Sequence, residues 1–417
     1  MKKFVFALLL LASCAKEDSV GPASAKTFIR YFNGGNSDEA KAILETSDKG
    51  LLILATTQVA IEGSDPIFKI KLIKTDAFGN LVWQKLYPEI NNTTDSYKGN
   101  GFTIDPAGGY VIVGEDIKSQ KSNLLILSVA EDGSLKNLPK TMTSTYEAKG
   151  MGVAVITSPT NSAAGNVRIL SAVTDPAKDN MLLAEFTGAV VNGTAPVILP
   201  IWTRLYGAGE SVNLSNKLFQ DADNNSYWSG TVIKTGNPAN IRLVKTPTNS
   251  LTTFYDFTPS STFTETTNDV INPLGGDTFF LVGKSNATTP SSTGIFNISF
   301  KRYFATNEFF AFTYPFPEQD GDADGNSVAA AQDGGYILLG TAKLSGTAGR
   351  GETDYCMIKV DSDGKQIWTK SYGSKYEDVG VGIITTSDGG HVILGTTNLA
   401  NTKSILVMKT DSNGNIE

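Results

Sequence analysis

Asp320-Gly321-Asp322-Ala323-Asp324-Gly325-Asn326 places three carboxylates and an amide on alternate residues. Oxygens at that spacing can converge on one hard cation, so Asp320, Asp322, Asp324 and Asn326 are candidate Ca2+ ligands. The later acidic ligand of a calcium loop is missing, because the twelfth position is Ala331. The same stretch therefore also reads as a solvated Asp-Gly turn. A second acidic set recurs at nearly regular intervals: Asp38, Asp95, Glu147, Glu210, Glu265, Asp322 and Asp378. Gathered at one mouth, these groups would attract cations or a basic partner. Taken singly, each is a side chain that caps a tight turn. Asp38, Asp95, Glu210 and Asp378 are carried forward as binding-face candidates.

The remaining inventory excludes several chemistries. The chain has one histidine, His391, which rules out a multi-histidine metal site and would have to serve any Ser-His-Asp arrangement. Glycoside cleavage needs only two carboxylates, yet nothing singles out a pair among the 42 acidic residues. No catalytic residue is assigned, and the expectation is a protein that is not an enzyme. A formal net charge of −7 without a basic run excludes a nucleic-acid partner. Cys356 lies in an apolar stretch, Asp354-Tyr355-Cys356-Met357-Ile358, and reads as a small buried hydrophobe.

What must position these groups is a repeat. Ala331-Gln332-Asp333-Gly334-Gly335-Tyr336-Ile337-Leu338-Leu339-Gly340 is followed by Ser387-Asp388-Gly389-Gly390-His391-Val392-Ile393-Leu394-Gly395. Earlier copies start at Ser47 and Ala107, weaker ones at Asp223 and Gly275, and a degenerate one near Ala164. The spacing of roughly 50–60 residues is within the range of propeller blades. Each strong copy has a glycine turn, a nearly continuous apolar strand, a third strand ending in a second turn such as Asp361-Ser362-Asp363-Gly364, and an aromatic fourth strand. Ile367-Trp368-Thr369-Lys370-Ser371-Tyr372, Val82 to Tyr87 and Ile201 to Tyr206 are such fourth strands. Glycine supplies the positive φ of the turns, and four strands with short connections make an antiparallel blade. The aromatic run Phe296 to Phe316 falls on the same pattern, which favours core packing over exposed stacking.

The chain stops at Gly414-Asn415-Ile416-Glu417, ahead of a missing fourth strand, while Phe28 to Phe32 is a fourth strand without a unit. Laid on the sixth unit, Phe28 matches Trp368, Phe32 matches Tyr372, Asp38 matches Asp378 and Gly50 matches Gly390. The expected fold is all-β: a seven-bladed β-propeller of four-stranded antiparallel blades over residues 27–417, its ring closed by the N-terminal strand. These repeats resemble the Asp-Gly-Gly-Tyr-rich propeller repeats of bacterial surface and secreted proteins, and more faintly the quinoprotein-like and outer-membrane-assembly propellers.

Residues 1–13 have the parts of a secretory signal: Lys2-Lys3, an apolar run, then Leu11-Ala12-Ser13 before Cys14. This resembles the bacterial lipobox, which implies lipidation at Cys14 and a membrane anchor. Residues 14–26 form the tether, and Lys16-Glu17-Asp18 resembles the export signal of Bacteroidota-type surface lipoproteins. The expectation is an outer-membrane, cell-surface binding or scaffold module for a glycan or an envelope protein. Two alternatives stay open: a periplasm-facing scaffold in outer-membrane assembly, and a carboxylate-based glycan-active enzyme.

Overall fold

The computed structural model describes residues 27–416 apart from 90–93, 143–146, 158–164, 176–177, 192, 207–210, 215–216, 222, 234–235, 248–254, 260, 288–294, 347–348 and 400–401. Cys14, the signal segment, the tether and Glu210 lie outside the described residues. The strands form seven antiparallel sheets, each written here from the axis outwards. The first blade is Ser37–Glu45, Leu51–Ile61, Ser64–Thr75 and Leu81–Tyr87. The sixth is Gln319–Ala330, Tyr336–Leu344, Asp354–Val360 and Gln366–Tyr372. In the seventh, Asp378–Thr385, His391–Leu399 and Thr402–Thr410 are completed by Phe28–Phe32, which pairs from Phe28↔Lys409 to Phe32↔Ile405. The fold, the blade count and the closure by the first strand all agree with the repeat pattern. The fourth blade is less regular, because its innermost strand is split into Ser211–Leu214 and Phe219–Gln220.

Middle strands are buried on both faces by neighbouring blades, which explains their near-continuous apolar character. Leu52, Leu54, Ile70 and Leu72 of the first blade pack with Tyr110, Ile112, Leu125 and Leu127 of the second. At four junctions the rim locks one blade to the next. Trp368 covers Gly414, Phe310 and Phe312 cover Gly364, Trp83 covers Gly133, and Phe28 covers Gly79. Those glycines have φ between 74° and 81°, and any Cβ there would strike the ring. The tyrosine ending the outer strand adds a hydrogen bond to the same carbonyl: Tyr314 to Gly364 at 2.6 Å, Tyr372 to Gly414 at 2.5 Å, and Tyr87 to Gly133.

The aromatic run of the fifth blade divides between core and surface. Phe300, Tyr303, Tyr314 and Phe316 are buried, whereas Phe304 and Phe309 are 57% and 65% exposed, so core packing describes only part of it. Cys356 is fully buried and desolvation pushes its thiol pKa up, as a small core hydrophobe requires. His391 is also buried, its Nδ1 3.3 Å from Thr385 Oγ1, and burial followed by the charge of Lys359 lowers its pKa.

A third-strand lysine clamps the aspartate of the first turn in several blades. Lys74 pairs with Asp48 at 2.8 Å, Lys359 with Asp333 at 2.6 Å and Lys409 with Asp388 at 2.6 Å. The hydrogen bond from Lys74 holds Asp48 down to about 2; at Asp388 burial opposes ionisation, but Lys409 and Thr386 bring it to about 2 as well. Folded pKa values below the unfolded value of 3.8 mean that these pairs stabilise above pH 4 and lose their contribution as pH falls from about 4 to 2. Both carboxylates are partly solvated, so each pair contributes about 1 kcal/mol or less. Thermal unfolding between pH 5 and 2 should show a shallower loss of midpoint in the Asp48→Asn/Asp388→Asn double variant than in the parent. Parallel curves for the two proteins would remove the clamp from the account of acid sensitivity.

Candidate functional site

Six of the seven innermost strands carry an extra residue at the same level; the split inner strand of the fourth blade shows none among its described residues. The register slips between Ala40 and Ala42, Gly99 and Gly101, Gly150 and Gly152, Thr267 and Asp269, Gly325 and Ser327, and Gly380 and Gly382. A bulge leaves one residue out of the ladder and re-aims its side chain. Here those residues are Lys41, Asn100, Met151, Asn268, Asn326 and Val381. The small residues on either side let the preceding blade come close: a Cβ at Gly150 would lie 2.6 Å from Leu124, and one at Gly99 2.9 Å from Leu54.

The bulges converge on an axial recess of about 330 Å3, to which six blades contribute. Lys41, Asn100, Asn268, Asn326 and Val381 line it, with Lys217 entering from the split strand of the fourth blade and Glu39 and Asp269 beside the bulges. Two asparagines stitch neighbouring blades: Asn100 Nδ2 donates to Gly150 O at 3.0 Å, and Asn268 Nδ2 to Gly325 O at 2.9 Å. Asn326 Oδ1 accepts from Thr341 Oγ1 at 2.7 Å, so its amide nitrogen is the end offered to a ligand. Asp269 is 2% exposed and takes Lys217 at 2.7 Å, Ser327 Oγ at 2.7 Å, and the backbone N–H groups of Val328 and Val270 at 3.0 and 2.7 Å. With those donors it is a structural anchor of the channel wall.

Two residues ahead of the bulge in the first and sixth blades stand Glu39 and Asp324, opposite Thr56 and Thr341 of their second strands. These equivalent carboxylates have opposite environments. Burial works against ionisation of Glu39, but Lys41 at 2.8 Å, with Lys403 and Lys98, outweighs it and holds the group below the usual carboxylate range. At Asp324 desolvation prevails over Lys284 at 3.2 Å and over the 2.8 Å bond from Asn268, so its pKa is raised. Environments that push two acids apart are the signature of an acid and base assignment.

The calcium reading of Asp320–Asn326 is corrected by this placement. The stretch is part of a twelve-residue strand, Gln319–Ala330, and not a loop. Alternate residues of a strand are roughly 6.6 Å apart, too far for all four to meet one cation. Their oxygens are also committed elsewhere: Asp322 accepts from Phe296 N, Asp324 from Asn268, and Asn326 from Thr341. No group of three or more His, Cys, Asp or Glu side chains that could hold a metal ion occurs among the described residues.

The acidic binding-face candidates do not gather at a mouth. Asp38 is fully buried against Lys71 at 2.7 Å, Glu265 against Lys301 at 2.6 Å, and Asp378 accepts from Ser374 N at 2.5 Å. Asp95 is partly exposed, in a recess of about 630 Å3 at the outer side of the second blade, and Glu147 and Asp322 of the wider acidic set are partly exposed and exposed. Turn capping therefore describes Asp378, and buried pairing describes Asp38 and Glu265. The bulge ring was missed in the sequence. Its signal was there, as small-x-small triplets in successive units: Gly99-Asn100-Gly101, Gly150-Met151-Gly152 and Gly380-Val381-Gly382.

No family model matches the chain, and no curated protein matches it. Solved structures do share the fold. The GH93 α-L-arabinofuranosidase of Fusarium graminearum, solved in complex with arabinobiose, is similar over 94% of this chain and 100% of its own, with 10% identity and a TM-score of 0.50. A subtype N10 neuraminidase-like protein of A/little yellow-shouldered bat/Guatemala/060/2010 is similar over 74% of this chain and 91% of its own, with 7% identity and a TM-score of 0.46. At 10% identity the likeness to the arabinofuranosidase is one of fold. It nevertheless overturns the expectation that the chain is not an enzyme, because a propeller spanning nearly the same length is a glycosidase. The single histidine, on which that expectation leaned, does not bear on carboxylate chemistry.

Proposed function

We propose that this chain is a lipid-anchored, glycan-active propeller of the outer-membrane surface that cleaves a saccharide over its axial recess. The observation that carries the proposal is Glu39, which lines the amide-bearing recess, and Asp324 at the equivalent position of the sixth blade, two residues ahead of the lining Asn326, with acidities displaced in opposite directions. Asp324, whose pKa burial raises, gives its proton to the leaving glycosidic oxygen. Glu39, the group held ionised, acts from the other side as base or nucleophile. Asn100, Asn268 and Asn326 offer amide groups suited to sugar hydroxyls, and Lys41 keeps Glu39 charged. The lipobox-like Leu11-Ala12-Ser13-Cys14 and the acidic residues behind it support the anchor and the outward address.

The test is release of reducing ends from a polysaccharide panel that includes arabinan, at several pH values. Turnover should follow a bell, rising as Glu39 ionises and falling as Asp324 loses its proton. Asp324→Asn and Glu39→Gln should each lower it by roughly 10²–10⁴-fold while the unfolding midpoint stays near that of the parent. A glycan that binds without being cut, or turnover indifferent to both changes, would remove the catalytic assignment.

A further inference from the structure

The position two residues ahead of each bulge forms a ring of its own around the channel. Register places there Glu39, Lys98, Lys149, Thr266, Asp324 and Val379, in chain order around the propeller. Asp324 and Glu39, in the sixth and first blades, therefore flank the seventh, whose member of the ring is the uncharged Val379. On that side a second recess of about 90 Å3 opens, lined by Glu39, Glu377, Val379, Thr396, Asn398 and Lys403. Val379 lies directly across from Thr396 and Asn398 across from Lys403, so three strands of one blade supply most of the lining. Thr396 Oγ1 accepts from Ala40 N at 3.0 Å, which fixes this blade against the strand that carries Glu39. Glu39 borders both the small recess and the axial one.

The charge here is positive, in a chain whose formal net charge is −7. Ring and bulge residues together bring Lys41, Lys98 and Lys149 against Glu39 and Asp324, and Asp324 is already paired with Lys284 at 3.2 Å. Lys41 pairs with Glu39 at 2.8 Å, and the charges of Lys403 and Lys98 act on the same carboxylate. No carboxylate lies within ion-pair distance of Lys98, Lys149 or Lys403 among the described residues. Lys98 Nζ rests 4.0 Å from the centroid of the Phe68 ring, a contact that holds it without neutralising it. Glu115, across the ladder from Lys98, accepts instead from Ser122 Oγ at 2.6 Å and Asn100 Nδ2 at 3.3 Å. Glu377, the other acid of the small recess, is exposed and makes no ion pair with Lys403 among the described residues. Lys403 of the seventh blade and Lys98 of the second are therefore surplus cations on either side of Glu39.

An ammonium beside an amide in a small recess is a receptor for one acidic oxygen group, because hydrogen bonds between ions are the strong ones. A local excess of cations on a protein that is acidic elsewhere also draws an anionic chain to this one place. We propose that the saccharide is anionic: a carboxylate or sulfate on one sugar enters the recess between the first and seventh blades onto Lys403 and Asn398, and a second acidic group lies over Lys98 beyond Glu39. This rests on the glycan-active reading and names its substrate class, a uronate-bearing or sulfated polymer.

The test measures binding and turnover separately on the full chain. Affinity electrophoresis uses gels containing polygalacturonate, its fully methyl-esterified form, a sulfated galactan and its desulfated form. The acidic member of one pair should retard the protein and its neutral counterpart should not, and the pair that does so tells carboxylate from sulfate. Lys403→Met should weaken that binding roughly 10–100-fold and raise KM by a similar factor with kcat retained, while Lys403→Arg should restore both. Lys49→Met, on the turn at the far end of the first blade, should change neither. Glu39→Gln should stop turnover and leave the acidic polymer bound at least as tightly. Retardation by an acidic polymer that is never cut would sink the catalytic reading and leave the anionic ligand standing. Neutral and acidic polymers cut alike, with no response to Lys403→Met, would overturn the anionic ligand and leave catalysis standing. Absence of retardation by both acidic polymers would overturn it as well.

Discussion

Replacing Arg168 with alanine is expected to destabilise the propeller by about 3–5 kcal/mol, read as a fall in the urea or thermal midpoint. Arg168 is fully buried in the second strand of the third blade, directly opposite Glu185. Its Nε donates to Glu185 Oε2 at 2.9 Å, and one terminal nitrogen reaches Ser226 Oγ at 2.8 Å and Asn224 O at 3.2 Å in the fourth blade. The guanidinium also lies 5.4 Å from the Trp202 ring centroid. Alanine would leave a buried carboxylate without its cation and two acceptors without their donor. The companion Arg168→Met/Glu185→Leu removes both charges and keeps the volume filled, so it should recover most of the loss, because well-packed apolar replacements of buried pairs are often neutral or better. A single variant that loses less than about 1 kcal/mol would mean that the pair is hydrated in solution.

The second large effect concerns the closing strand. A chain that begins at Asn33 lacks Phe28–Phe32 and leaves the outer edge of the seventh blade's third strand unpaired from Ile405 to Lys409. It also uncovers Gly79, on which Phe28 is seated, and forfeits about 1.5–3 kcal/mol for that side chain alone. A long unpaired edge with apolar neighbours is a template for another chain. The expected outcome is a lower midpoint together with dimers or larger species in size-exclusion chromatography. A synthetic peptide spanning residues 26–34 should restore the monomer. A shortened chain that stays monomeric with an unchanged midpoint would show that the ring does not depend on this strand.

The ring was readable because its information is local and repeated. Asp-Gly turns, lysine-ended third strands and aromatic fourth strands recur, and Phe28 could be laid on Trp368 residue by residue; both rings prove to rest on the equivalent glycine of the next blade. The candidate site was not readable in the same way. Asp320 to Asn326 has the composition of a turn, but pairing with Tyr336–Leu344 draws most of it into an extended strand facing the channel. Composition also hid the role of the bulges, which depends on a slip in register that no single strand reveals. The partners of Arg168 lie in other strands and another blade. Asp38 and Asp378 were matched correctly as equivalents, yet their difference depends on which residue, Lys71 or Leu406, the third strand supplies.

Closure by the first strand also governs when the molecule can be finished. Asn33, just past that strand, bonds to Ser404 across 371 positions of sequence. This strand, made before all the others of the ring, must therefore wait, unpaired, for nearly the last one. Each blade can form as its own meander emerges, but the final ladder brings the largest separation in the chain and with it the slowest kind of contact to find. Any device that holds Phe28–Phe32 in place early would quicken the last step of folding without altering the finished structure.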